Sequence, residues 1–177
     1  MPQAKEGAAV NNPVVIRCSL LVLLGAAAPM LWAEDVKETV HLVVTGGPNA
    51  GKWDASTAKG GCTYGYAGPG SWGNQLSSPA DKDPKHFNSL QLIVPDAKAA
   101  SGGTKEFYLA VGFGPLTNRG AEYIVETRPA EKKKTGSGTV TVKDGGATAT
   151  VSFALTTAEG IRLEGTIDCR QVLRKGA

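Results

Sequence analysis

Histidine occurs only twice and cysteine three times in the 177 residues, and aromatic residues make up 6% of the chain. His41 and His86 stand far apart, with no His-x-x-x-His spacing, so no metal ligands are assigned and no cofactor is expected. A Cys-x-x-Cys pair is missing, which removes the adjacent thiols of a redox catalyst. Serines are plentiful, but Gly70-Ser71-Trp72-Gly73 lacks the G-x-S-x-G turn that exposes a nucleophile, and no catalytic residue can be named. Asp81 and Asp83 lie close together without the glycine and terminal glutamate of a calcium-binding loop, and read as a solvated loop. Charge of one sign is also lacking. With 19 basic and 16 acidic residues the net charge is +3, and the clustered lysine and arginine of a nucleic-acid footprint are absent. Lys132, Lys133 and Lys134 form only a short basic tip.

What is present begins with an apolar stretch near the N-terminus. Arg17 supplies a positive flank, Leu20 to Leu24 an apolar centre, and small residues follow up to Ala33. This is the layout of an export signal, so residues 1–33 are expected to be a cleaved leader and the mature chain to start at Glu34. Cutting after Ala28 would satisfy the small-x-small rule better but leaves Pro29 beside the scissile bond. Residues 1–13 are long and polar for a leader, and translation starting near Val14 or Val15 is an alternative. A membrane span needs about 20 apolar residues. The Val14–Ala33 run is shorter in its apolar part and broken by Gly25 and Pro29, so no transmembrane segment is expected after cleavage. Cys18 follows Arg17 rather than a small residue, which argues against a lipid anchor.

Without the leader 144 of the 177 residues remain, the size of one domain with a single core. Two cysteines also remain, Cys62 and Cys169. An even count behind an export signal predicts a structural disulfide in an oxidising compartment, either secreted or periplasmic. Periodicity is that of strands: Val40, Leu42 and Val44 alternate with polar neighbours, as do Leu90, Leu92 and Val94, and Phe107, Leu109, Val111 and Phe113. The C-terminal third is clearest. Thr139–Lys143 leads through Asp144-Gly145-Gly146, a tight-hairpin signal, into the alternating run from Ala147 to Leu155. A reversal at Ala158-Glu159-Gly160 then leads into Ile161, Leu163, Gly165, Ile167 and Cys169. Further segments near Lys52–Ser56, Tyr64, Trp72–Leu76 and Tyr123–Thr127 bring the count to about eight to ten short strands. The expected fold is an all-β antiparallel sandwich or barrel closed by one disulfide over residues 34–177.

Gly46-Gly47-Pro48-Asn49-Ala50-Gly51-Lys52 fits seven positions of the phosphate-binding loop G-x-x-x-x-G-K-[ST]. Trp53 occupies the eighth, where the motif needs a magnesium-ligating hydroxyl and the start of a helix. The segment is therefore expected to be a glycine-rich reversal between strands, with no nucleotide partner.

Trp53, Tyr64, Tyr66 and Trp72 fall within twenty residues, interleaved with Gly60, Gly61, Gly65, Gly68, Gly70 and Gly73. Aromatic rings on loops held by a rigid β scaffold can form a binding face for a glycan or a protein. These four residues are the candidate binding set. The alternative is structural: Tyr64 and Tyr66 share a strand face with Cys62 and cover the disulfide, with Trp53 or Trp72 in the core.

The threonine- and glycine-rich strand pair and the last strand ending in cysteine, from Gly138 to Cys169, resemble small secreted bacterial β-sandwich proteins such as the mycobacterial surface lipoprotein antigen family. That resemblance implies no catalytic residues. The sequence thus points to an exported, non-enzymatic binding or envelope-structural module whose partner, unknown, is a cell-envelope protein or glycan. Two alternatives stand beside it: a carbohydrate- or small-ligand-binding domain using the aromatic loop, and a secreted hydrolase whose site one sequence does not reveal.

Overall fold

The computed structural model describes residues 35–78, 83–115 and 120–176. The leader with its cleavage site, and Asp81 of the acidic loop, lie outside the described residues. The chain divides into two units, Met1–Trp32 and Ala33–Ala177, and everything below concerns the second.

Among the described residues eleven strands follow one another: β1 (Glu38–Thr45), β2 (Gly51–Thr57), β3 (Gly60–Tyr64), β4 (Trp72–Ser77), β5 (Phe87–Val94), β6 (Tyr108–Phe113), β7 (Ala121–Glu126), β8 (Ser137–Asp144), β9 (Ala149–Thr156), β10 (Arg162–Cys169) and β11 (Val172–Arg174). Among the described residues the sole helical piece is a 3-10 turn, Ala99–Gly102. One sheet has five strands in the order β2-β1-β10-β9-β8, and the other has six in the order β11-β3-β4-β5-β6-β7. The period-two apolar pattern decides which face each strand buries. Val40, Leu42, Val44, Val151, Phe153, Leu163 and Ile167 from the first sheet meet Trp72, Leu90, Leu92, Leu109, Val111 and Phe113 from the second in one core.

The hairpins stand where the turn chemistry places them. β8 and β9 pair through Asp144↔Ala149 around Gly145-Gly146, and β9 pairs β10 with Leu155 opposite Leu163. The Gly46–Lys52 segment is the reversal between antiparallel β1 and β2. Its Asn49 is buried: Tyr123 donates its hydroxyl proton to Asn49 Oδ1 (3.1 Å), and Trp53 Nε1 donates to the Asn49 carbonyl (3.0 Å).

The expected disulfide is present between Cys62 and Cys169, with 5.9 Å between the Cα atoms. It joins β3 of one sheet to β10 of the other. Two features depart from the expectation. The strand count is eleven rather than eight to ten, and the six-stranded sheet is mixed, because β11 runs parallel to β3 with Val172 opposite Cys62. After Cys169 the chain steps from one sheet to the other beside the covalent bridge and joins the edge of β3. Arg174 then stacks over Tyr64, 5.2 Å from the ring centroid. It also donates to Asp144 and to the Gly146 carbonyl, stapling β11 to the β8–β9 turn.

Candidate functional site

The four aromatic residues do not form one surface. Trp72 is 0% exposed, and its indole N–H donates to Asn74 Oδ1 (2.7 Å) within the core. Its place in an exposed binding set is therefore corrected: it lies on the inward phase of β4, opposite Tyr64 on one side and Val94 on the other, and has no face to offer. Trp53 is half-buried and packs edge-on against Phe113, with ring centroids 5.2 Å apart. Tyr64 is half-buried against the core edge on the same side of β3 as Cys62, beneath Arg174.

Tyr66 goes the other way, against the expectation that it shares a face with Tyr64 and Cys62. Gly65 has φ +77°, which breaks the strand alternation, and a Cβ there would meet the Lys175 carbonyl oxygen at 2.3 Å. The chain therefore turns, and the Tyr66 ring lies on the outer face of the six-stranded sheet directly over Gly73. A Cβ on Gly73 would stand 2.2 Å from Tyr66 Cγ, so this close seat exists because residue 73 has no side chain. Gln91 Nε2 donates to the Tyr66 hydroxyl (3.3 Å).

That hydrogen bond leads to a concavity of polar character on the outer face of the six-stranded sheet. A trough of about 320 Å³ runs across β4, β5, β6 and β7, lined by Gln75, Ser77, Ser89, Gln91, Tyr108, Ala110 and Glu122, with Leu76 and Leu90 in its floor. Strand register explains the convergence. Gln75 stands opposite Gln91, Gln91 opposite Ala110, Ser77 opposite Ser89 and Ser89 opposite Gly112, all on the outward phase. Ala110 and Gly112 keep the floor low, while the glutamines and Tyr108 raise the walls. A volume of ~300 Å³ is at the lower end of the range for small-molecule sites.

Two features fix the trough in place. Tyr108 carries Arg128 over its ring at 5.2 Å, and Arg128 is held by Glu126 through paired hydrogen bonds that include Nε to Oε1 at 2.9 Å. Pairing with Arg128 holds the Glu126 carboxyl below the usual carboxylate range despite partial burial, and the same contact holds the guanidinium above its own. At the opposite end β5 bulges: Phe87 pairs Phe113 but Ser89 pairs Gly112, leaving Asn88 as the extra residue. Asn88 is 0% exposed and neither atom of its amide has a partner among the described residues. Its Oδ1 lies 3.2 Å from the point where a Cβ on Gly112 would stand, beside Ser89.

A second polar cluster lies in the core. Trp72 N–H can only donate, so Asn74 presents its oxygen to the indole and its NH₂ to the opposite side. There Asn74 Nδ2 reaches Cys62 Sγ (2.8 Å) and Glu38 Oε2 (3.3 Å). Glu38 is wholly buried, and its Oε1 has no partner among the described residues. Burial pushes its carboxyl up to about 7, against a smaller downward pull from Asn74. The sequence signal for this is an acid on the inward phase of the strand that carries Val40, Leu42 and Val44.

On the outer face of the other sheet His41 Nδ1 lies 2.6 Å from Asp54 Oδ1, both exposed. Among the described residues no group of three or more His, Cys, Asp or Glu is placed to hold a metal ion, and no helix is long and apolar enough to cross a membrane. The residues that sequence reasoning missed are Gln75, Ser89, Gln91, Tyr108 and Glu122. Each reads alone as an ordinary outward residue of a strand, and only sheet order brings them together. Set against known proteins, the chain matches no family model, and neither a curated protein nor a solved structure shows significant similarity to it.

Proposed function

We propose that the protein is an exported, non-enzymatic binding module of the cell envelope or its surroundings, and that its ligand face is the outer side of the six-stranded sheet. One observation carries this reading: hydrogen-bonding side chains, uncharged except for Glu122, converge in a shaped trough whose walls are already braced, Tyr108 by Arg128 and Gln91 by Tyr66. Binding surfaces on rigid elements hold their geometry without an ordering cost on association. Reaction chemistry has less support. Among the trough residues only Glu122 carries a carboxylate, and acid–base or nucleophilic catalysis calls for a second titratable group poised against the first. Export rests on the leader together with the inter-sheet disulfide, which is compatible with an oxidising compartment.

The side-chain amide signals of Gln75 and Gln91 provide the test. In nuclear magnetic resonance spectra of the oxidised mature protein they should shift on addition of solubilised envelope material from the source cells, while those of Asn49, buried at the β1–β2 turn, stay fixed. Shifts confined to the five-stranded sheet, or turnover of any envelope component, would contradict the proposal.

A further inference from the structure

We infer that the trough across β4–β7 is a subsite for a neutral oligosaccharide, bound through vicinal hydroxyls. The inference rests on the binding-module reading and adds the ligand class to it. Its first support is the chemistry of the lining. Gln75 and Gln91 stand directly opposite each other, and Ser77 opposite Ser89. Each primary amide offers a donor pair and an acceptor within one planar group, and each hydroxyl offers both roles. A sugar hydroxyl also donates and accepts at one atom, so adjacent hydroxyls can exchange two hydrogen bonds with a single amide. Peptide backbone and phosphate are poorer matches. An extended peptide needs a free strand edge, which β7 alone of the trough strands offers, whereas the facing amides and hydroxyls lie on β4 and β5, each paired on both sides. A phosphate calls for arginine, lysine or a run of free backbone N–H groups, and the trough is lined by none of those cations.

The second support is Tyr108. Its ring is clamped by Arg128, whose charge is matched by Glu126, so the trough gains an aromatic wall without an unmatched cation beside it. Sugar rings present C–H faces to aromatic surfaces, and an amphipathic, rigid phenol suits them. The third support is independent of the lining. Asn88 is fully buried at the Ser89 end with both amide atoms unpartnered, although buried polar groups are nearly always satisfied. Ser89, whose Oγ stands 2.4 Å from the point a Cβ on Gly112 would take, lies between the trough and Asn88 Oδ1 at 3.2 Å from the same point, so a sugar hydroxyl reaches the Asn88 amide only by displacing the Ser89 side chain. The volume of about 320 Å³ accommodates one to two sugar rings.

The experiment is a spectroscopic titration of the oxidised mature protein with a panel of neutral tetrasaccharides built on glucose, mannose, galactose and N-acetylglucosamine, alongside envelope extract with and without periodate, which cleaves vicinal diols. The expected result is saturable shifts of the Gln75, Gln91 and Asn88 side-chain amides with at least one tetrasaccharide. Binding should weaken about tenfold in Gln91→Ala and in Tyr108→Ala, the effect of losing one well-placed contact. Ser77→Ala, which keeps the fold and removes a single hydroxyl, should weaken it less. Extract that still moves these signals after periodate, with every tetrasaccharide silent, would overturn the sugar assignment and leave the binding face standing. Silence of the trough toward both extract and sugars would overturn both.

Discussion

Replacing Glu38 by glutamine removes a carboxyl that lies wholly inside the sandwich, next to the disulfide, with one oxygen unpartnered. Burial raises it to about 7 from a value of 4.5 in the open chain. Between those limits the folded protein holds a proton that the unfolded chain has released. Its stabilising contribution is therefore complete below pH ~4.5, falls as pH rises through the window, and is lost above ~7. At about 1.4 kcal/mol per pH unit the full loss is about 3 kcal/mol, a large share of a domain's net stability of ~5–15 kcal/mol. The direction opposes ordinary acid denaturation, in which paired carboxylates lose their partners as pH falls. Glu126 behaves in that ordinary way: its carboxyl is held low by Arg128, so its contribution is lost only at more acid pH. Guanidinium unfolding of the oxidised mature protein at pH 5, 6, 7 and 8 should show wild type weakening steadily. The Glu38→Gln variant should be flat, slightly less stable than wild type at pH 5 and more stable at pH 8. The glutamine can still accept from Asn74, and its NH₂ takes the position of the unpartnered oxygen. A wild-type protein whose stability is level or rising across this range would refute the reasoning, as would a variant with the same slope.

Removing the disulfide by Cys62→Ala with Cys169→Ala should cost about 2–5 kcal/mol, given a bridge that spans 107 residues and joins the two sheets; recovery of free Cys62 and Cys169 peptides from protein purified without reductant would contradict the pairing. Trp72→Ala should cost about 3–5 kcal/mol, since the indole is fully buried and leaves Asn74 without its donor. Tyr66→Ala should cost only about 1 kcal/mol or less, because its ring lies on the outer face. Thermal melts of the pair measure the difference, and equal losses would show that the two rings occupy equivalent environments.

Much of the architecture is legible in the alternation of side chains. Val40-x-Leu42-x-Val44 and Ala149-x-Val151-x-Phe153 can bury one face only as strands, and Asp144-Gly145-Gly146 supplies the positive φ of a hairpin. The Cys62–Cys169 pairing follows from having two cysteines and one core. The aromatic cluster was legible as a grouping and not as a location. Tyr66 faces outward because of a flip at Gly65, Trp72 faces inward through the phase of β4, and a glycine announces the possibility of a flip without its direction. The trough was not legible at all. Gln75, Gln91 and Tyr108 sit on three strands, and their meeting depends on sheet order and register, which alternation within a strand does not encode. Likewise β11 is three residues long, and its strand conformation comes from pairing with β3 across the bridge rather than from its own sequence.

The placement of β1 bears on when the molecule can finish folding. Its neighbours are β2, which follows at once, and β10, whose register runs from Cys169 opposite Glu38 to Arg162 opposite Thr45. The opening strand thus waits for the closing one, and a lone β1–β2 hairpin is at best marginal in water. Contacts this remote in sequence carry a high loop-closure cost and make for slow assembly. A chain emerging N-terminus first holds β1 without its second partner until β10 has followed, so the five-stranded sheet is completed late, and the Cys62–Cys169 bridge, spanning 107 residues, can close only at that stage.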